Sequence, residues 1–374
     1  MSPVRTGDAS VPSLTAASRS VKAIEVSPGT GCADGFAMRE VVCIAAGAII
    51  ILAAGVDLVW TTLGTHGGGP VSDTILNGIW KLFVRLHRRR PMHGLLSYAG
   101  SLLLTLIVVI WMGLFWAGCF LLFEGRRDSI VDSHTRRIAT TEEKFFFSGS
   151  TLFTFGTAEY APNGRFWRLA TVLTGAIGLG AVTLSITFLL QVLQSVVMKR
   201  ALAVYISDVG STPYEILGRS WTGERFNGLD GHMATITEQL HAVTEQHLAY
   251  PVLRYFHSEK RRTASTVRLA GLYEMTMILE AGVAPHLRLG RISIYPLRDA
   301  LAGYCAALSS MFVKGAAAPP PPPSLGPVRD LGVETVDDAT FAAAAAEEHA
   351  LHIRRFFLGL LNEDGWSWDD VWKA

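Results

Sequence analysis

Three long apolar stretches limit what this chain can become: Val41–Leu63, Leu95–Phe123 and Phe166–Met198. The first and shortest already spans roughly 35 Å as a helix, more than the ~30 Å hydrocarbon core of a bilayer. Inside hydrocarbon every backbone polar group needs a partner within its own segment, so such stretches cross as helices. The expected fold class is an all-α membrane protein with three transmembrane helices, at 41–63, 95–123 and 166–198. Composition agrees, since 49% of the 374 residues are hydrophobic and only 17% charged. A net charge of +1 gives no electrostatic basis for a nucleic-acid partner; the expected partners are membrane lipids.

Residues 1–40 are rich in Ser, Thr, Ala, Val and Gly and show no helical period. They read as a disordered N-terminal tail rather than a cleaved signal peptide. Asp57 interrupts the first span beside Trp60. A carboxylate there is expected to hydrogen-bond at the interface or between helices. The connector 64–94 opens with a Gly-rich turn. From Ser72 to Leu86 its residues Ile75, Ile79, Leu82, Phe83 and Leu86 recur at helical spacing, and Lys81, Arg85, Arg88, Arg89 and Arg90 crowd the far half. This predicts a basic amphipathic helix, lying on anionic headgroups or serving as a plain juxtamembrane connector. The cysteines Cys32, Cys43, Cys119 and Cys305 share no metal or redox spacing, and the histidines His232, His241, His247 and His257 never fall four apart. No nucleophile–base pair and no phosphate-binding loop stands out. The chain is expected to have no metal, no cofactor and no catalytic residues, and not to be an enzyme.

The most specific stretch is Thr151–Pro162, TLFTFGTAEYAP. It follows the aromatic run Phe145, Phe146 and Phe147 and precedes the third span. Thr140 or Thr141 with Glu143 can start a short helix that runs to about Phe153, with acidic residues at its positive end. The stretch resembles the pore loop of potassium channels, of the class with one re-entrant loop between two membrane helices. That family reads T-x-x-T-V-G-Y-G-D, with a proline three residues on. Here the matching positions are Thr151, Thr154, Phe155 for Val, Gly156, Thr157 for Tyr, Ala158 for the second Gly, Glu159 for Asp, and Pro162. Phe146 and Phe147 fall on the aromatic pair of the family's pore helix.

The resemblance covers about 95–200. It implies a pore helix and filter loop at 140–162, and a selectivity filter of Thr154, Phe155, Gly156, Thr157 and Ala158. It places Glu159 around the outer mouth and makes the third helix pore-lining, with Gly178 as a candidate hinge. Polar Ser185, Thr187, Gln191 and Gln194 follow that glycine. One chain supplies one loop, so the resemblance implies a homotetramer with K+ as the permeant ion. It also implies a multi-pass protein of the cell membrane, N-terminus outside and C-terminus cytoplasmic. The family's second filter glycine is left-handed, where Ala158 would cost on the order of 1–2 kcal/mol per subunit. Thr157 and Ala158 leave two alternatives beside a potassium channel. One is a non-selective cation channel; the other is a non-conducting signalling or scaffold protein with a channel-like fold.

Beyond the third span the chain changes character. Residues 199–315 read as a helical cytoplasmic domain, with helices near 230–248, 251–257, 265–279 and 297–311. Five prolines, Pro319–Pro323, mark 316–337 as a semi-rigid Pro-rich linker. One strong helix is expected over 338–361 within a C-terminal segment 338–374. Trp366, Trp368 and Trp372 follow it. Three tryptophans left in water would be a liability, so this tail is expected to dock on the domain, a neighbouring subunit or the membrane face.

Overall fold

The computed structural model describes residues 30–64, 93–309 and 314–373, with Gly68, Gly69, Ser72, Thr74, Ile75, Gly78 and Ile79 between the first two. Most of the predicted N-terminal tail and all the cations of the predicted amphipathic helix lie outside the described residues. Ser72, Thr74, Ile75, Gly78 and Ile79 are helical.

The chain is a mostly helical membrane protein. Its first two long helices are α1 (Thr30–Leu63) and α2 (His93–Glu124). A short helix, α3 (Thr141–Leu152), precedes α4 (Arg165–Val209). Among the described residues, 38–63 of α1, 100–124 of α2 and all of α4 are long and apolar enough to cross a membrane. Two boundaries of the membrane helices differ from the sequence reading by more than two residues. The helix of the first span starts at Thr30, inside the predicted tail, because Ala33, Ala37, Met38, Arg39 and Glu40 are good helix formers that extend an existing nucleus. The third span does not end at Met198. Lys199 and Arg200 sit within α4, which runs on for a total of 45 residues into the C-terminal domain.

α1 and α2 pack through small residues. A Cβ on Gly47 would lie 2.8 Å from the Leu122 nitrogen, and one on Gly118 would lie 2.7 Å from Ile51 Cγ1. Small residues let the two backbones approach. Asp57 is 1% exposed in this seam. Its carboxylate accepts from Trp111 Nε1 of α2 (2.9 Å), from the Ser72 amide (3.2 Å) and from the Ser72 hydroxyl. The buried carboxylate thus ties the two helices and the connector together.

The C-terminal domain is built from α5 (Pro213–Ser220), α6 (Leu229–Ala249), α7 (Ser265–Met277) and α8 (Arg291–Ser309), followed by α9 (Gly326–Asp330), α10 (Asp338–Ala345) and α11 (Glu348–Glu363). Met233, Ile236, Leu240 and Val243 of α6 point inward at helical spacing. Every residue of α7 is buried, which makes it the central helix. It closes in a π-helical turn, Ile278–Gly282. The 251–257 helix is a 3-10 turn, Pro251–Tyr255. α8 starts at Arg291, six residues before the predicted start, and carries Pro296 within it.

The Pro-rich segment is not a free linker. Pro320 and Pro323 are buried while Pro321 and Pro322 are exposed. That is the three-residue repeat of a polyproline helix laid on a surface. Arg354 Nη2 of α11 donates to the Pro321 carbonyl (2.5 Å) and pins the strap. The predicted single helix over 338–361 is broken at Ala346–Glu347. The alanine run gives α10 only Phe341 and Ala345 to bury, against the π turn, whereas α11 buries a separate stripe on α7 and α8. The tail docks on its own domain: Trp368 is buried, and the Trp372 ring lies 5.0 Å from that of Tyr214.

Candidate functional site

α3 is fixed at its start by a capping box. Thr140 Oγ1 accepts from the Glu143 amide (3.3 Å), and Glu143 Oε2 accepts from the Thr140 amide (2.7 Å). Arg137 Nη2 donates to Glu143 Oε1 at 2.6 Å. The Arg137 hydrogen bond, then the Thr140 amide, holds the Glu143 carboxyl down at about 2. A depressed carboxyl contributes stability that is present above its unfolded pKa and lost as pH falls through the folded value. The first turn of α3 should therefore keep its amide protection from pH 7 to about 4.5 and lose it between there and about 2. Hydrogen exchange of residues 141–145 checks this. Glu143→Gln should remove the acid-dependent step.

The next turn adds a second anchor. Lys144 is buried, donates to the Arg126 carbonyl (2.8 Å) and lies 3.6 Å from Glu124. Glu124 also accepts from Thr141 Oγ1 (3.1 Å). The aromatic run then divides its work. Phe147 is buried with its ring 5.4 Å from Phe123, and Phe145 stacks on Trp116 at 4.3 Å. Phe146 is exposed, edge-on to Tyr160.

α3 ends in a Schellman motif. The Phe155 amide donates to the Ser150 carbonyl (2.9 Å), and the Thr154 amide donates to the Thr151 carbonyl (3.1 Å). The motif needs a left-handed residue between them, and here it is Thr154, at φ +59°. Gly156 is also left-handed, at φ +70°, and its amide shares the Ser150 carbonyl (3.1 Å). Ala158 is not in the left-handed region. The strain expected at Ala158 is absent and sits at Thr154, because it is the helix end that demands the left-handed turn.

Thr154, Phe155, Gly156, Ala158 and Glu159 are all exposed, with Phe155 at 84%. The far end of the loop is nonetheless anchored. Strand β1 (Ile130–Asp132) pairs antiparallel with β2 (Tyr160–Pro162), matching Ile130 with Pro162. The Ser133 amide donates to the Glu159 carbonyl (2.8 Å), and the Glu159 amide donates to Thr157 Oγ1 (3.2 Å).

Against α3 lies Gly178 of α4. A Cβ there would sit 2.7 Å from the Leu152 carbonyl carbon and nearer still to its oxygen. This glycine is a close-packing site for the last turn of α3.

α4 presents three faces. Gly178, Ala181, Ser185, Phe188, Val192 and Val196 are buried. Leu179, Val182, Ile186, Leu190, Leu193 and Val197 form an exposed apolar face. Gly180, Thr183, Thr187, Gln191 and Gln194 are exposed too, and they fall within roughly 80° of the helical wheel. Thr183 and Thr187 return their hydroxyls to the helix backbone, donating to Leu179 O (2.8 Å) and Thr183 O (3.0 Å). The two carboxamides find no hydrogen-bond partner among the described residues. Sequence reading grouped Ser185 with this stripe and missed Thr183. The three-and-four spacing of the polar positions is the signal that separates them.

Elsewhere, three of the four histidines have separate partners. His232 hydrogen-bonds Tyr205 (2.9 Å), His247 is buried against the Val243 carbonyl (2.8 Å), and His257 pairs with Asp364. No group of three or more metal-ligating side chains occurs among the described residues.

The chain is similar to an uncharacterized membrane protein, YdjJ, of Bacillus subtilis (strain 168), at 29% identity over 326 residues, 87% of this chain and 94% of that one. No protein-family model matches the chain, and no solved structure does.

Proposed function

We propose that the chain is the subunit of a cation-conducting pore, a homotetramer in which 154–158 form the filter and α4 lines the path below it. The polar stripe of α4 is the observation that carries this reading. A carboxamide facing hydrocarbon without a partner costs roughly 4–8 kcal/mol. Polar groups on a membrane helix face the bundle interior or a water-filled cavity. Gln191 and Gln194 have no partner among the described residues, so other copies and water would supply one. The neighbouring apolar face is left for lipid or a second copy. The resemblance to potassium channels supplies the stoichiometry, the expected ion, and the orientation with α4 entering the cytoplasm.

The loop suits such a role. Left-handed turns at Thr154 and Gly156 alternate with ordinary backbone, which aims carbonyls in directions a regular strand cannot. Its base is held by α3 and its far end by β1 and β2, so four exposed loops can meet without losing internal support. Glu159 at the far end would concentrate cations at the mouth.

Ion flux into liposomes holding the purified protein, with potassium or sodium gradients, tests the reading. Potassium flux is expected, and Gly156→Val should reduce it to background while leaving the tetramer intact, because Val is strained at positive φ. Equal potassium and sodium flux would assign a non-selective pore. Flux unchanged in the Gly156 variant, or none in the parent, would overturn the assignment.

A further inference from the structure

A cluster of charged groups joins α4 to the far C-terminal end of the chain. Lys199 of α4 points its ammonium at two backbone carbonyls, Phe256 (3.3 Å) and Leu253 (3.5 Å). Both belong to the 251–257 segment, which is wedged beneath α2: a Cβ on Gly100 would lie 2.8 Å from the Phe256 ring. The same segment carries His257, whose Nδ1 lies 2.8 Å from Asp364 Oδ1. Asp364 caps the C-terminus of α11. Burial works against its ionisation, yet His257, Lys199 and Thr266 together hold its pKa below the usual range. His247 of α6 faces the same ammonium; burial first, then that charge, lowers its pKa to about 3, so it stays neutral. Arg200, Arg254 and Glu363 complete the charged surroundings.

We propose that this cluster is a mechanical tether, through which the docked C-terminal segment sets the position of the inner half of α4. The geometry has a direct consequence. Asp364 is the carboxylate that His257 meets at 2.8 Å and whose charge Lys199 feels, and it arrives at the end of α11, the helix that carries the strap and the tryptophan tail. Lifting α11 off its domain withdraws that carboxylate from His257, which is buried, and removes its charge from the neighbourhood of half-buried Lys199. Removing one partner of a buried polar pair leaves the other unsatisfied, which is worse than replacing both with apolar groups. The 251–257 wedge, and with it the seat of α2 and α4, then loosens. On the pore reading, this makes the C-terminal segment a port for regulation; the tether itself does not depend on conduction.

Hydrogen exchange on the full-length protein in detergent tests it without any flux. Asp364→Asn should raise exchange about tenfold or more in 251–257 and in 195–209, and not only around the substituted residue. The double variant His257→Leu with Asp364→Leu, which removes both partners of the buried pair, should return both segments to within about threefold of the parent. Exchange in the α1–α2 seam serves as the folding control. A rise confined to residues 360–366, or a double variant no better than the single one, would overturn the tether. Should Asp364→Asn fail to fold, His257→Gln, which breaks the same pair from the other side, decides by exchange in 195–209. Flux measured on the same samples separates the two claims: an inactive parent with the predicted exchange pattern removes the pore and leaves the tether standing.

Discussion

Gly178→Ala should separate α3 from α4, destabilise the membrane bundle by about 3 kcal/mol, and abolish flux if the loop conducts. The methyl group has nowhere to go. It would overlap the Leu152 carbonyl group, which is backbone and cannot rotate aside as a side chain can. Leu152 is the last residue of α3, and the Schellman turn at Phe153–Phe155 begins on it. A shift of a few tenths of an ångström there passes directly to Thr154 and Gly156. Two nearby glycines serve as controls. A Cβ on Gly175 would make an ordinary contact at 3.8 Å, and one on Gly180 would meet nothing within 4 Å. Alanine at either should be neutral or stabilising, by up to about 1 kcal/mol, because it lowers the chain entropy lost on forming a helix. Thermal unfolding in detergent, read at Trp116 and Trp167 near α3, ranks the three variants. Equal stability across them would mean that α3 and α4 do not meet at Gly178.

The placement of α1, α2, α3 and α4 is legible in the sequence because each rests on local information. Span length and hydropathy mark the long helices, and Thr140 with Glu143 marks the start of α3. The spacing of Thr151 to Pro162 likewise singles out the loop. What stays hidden is set by partners distant in sequence or by backbone conformations that residue type disfavours. Thr154 is an example: threonine rarely adopts a left-handed turn, so attention falls on Ala158, where the resemblance places a glycine. The pairing of Ile130–Asp132 with Tyr160–Pro162 rests on two three-residue strands, too short to show a period. Asp57 reads as an inter-helix group, but Ser72 and Trp111 can be named only from the folded chain. The Pro-rich run reads as a linker because polyproline makes no internal hydrogen bonds, and the arginine that seats it lies 33 residues away.

That arginine also sets the second large effect, in the C-terminal domain. Arg354 and Glu274 form an ion pair with side chains 1% and 0% exposed; Arg354 Nε donates to Glu274 Oε1 at 2.7 Å. Removing either partner breaks the pair, but the two losses should differ. Glu274→Leu strands a guanidinium that cannot shed its proton, with the Pro321 carbonyl left to it, and should cost about 3–5 kcal/mol. Arg354→Met leaves a carboxyl that can be neutralised. Burial already raises the Glu274 pKa to about 7 with the arginine in place, so without it the group keeps its proton at neutral pH. That variant should cost about 2 kcal/mol. Replacing both with leucine and methionine should be near neutral. The pH dependence separates this from simple packing loss. An acid whose folded pKa is raised binds its proton more tightly in the folded state, so stability falls as pH climbs from the unfolded value toward the folded one. In the parent that loss runs between about 4.5 and about 7. In Arg354→Met it should extend to higher pH, and in Glu274→Leu it should vanish. Denaturant unfolding followed by Trp368 fluorescence, whose ring lies 5.7 Å from the guanidinium, gives all three profiles. If Arg354→Met proved the more damaging variant, the guanidinium would matter chiefly as the anchor of the proline strap rather than as a buried charge.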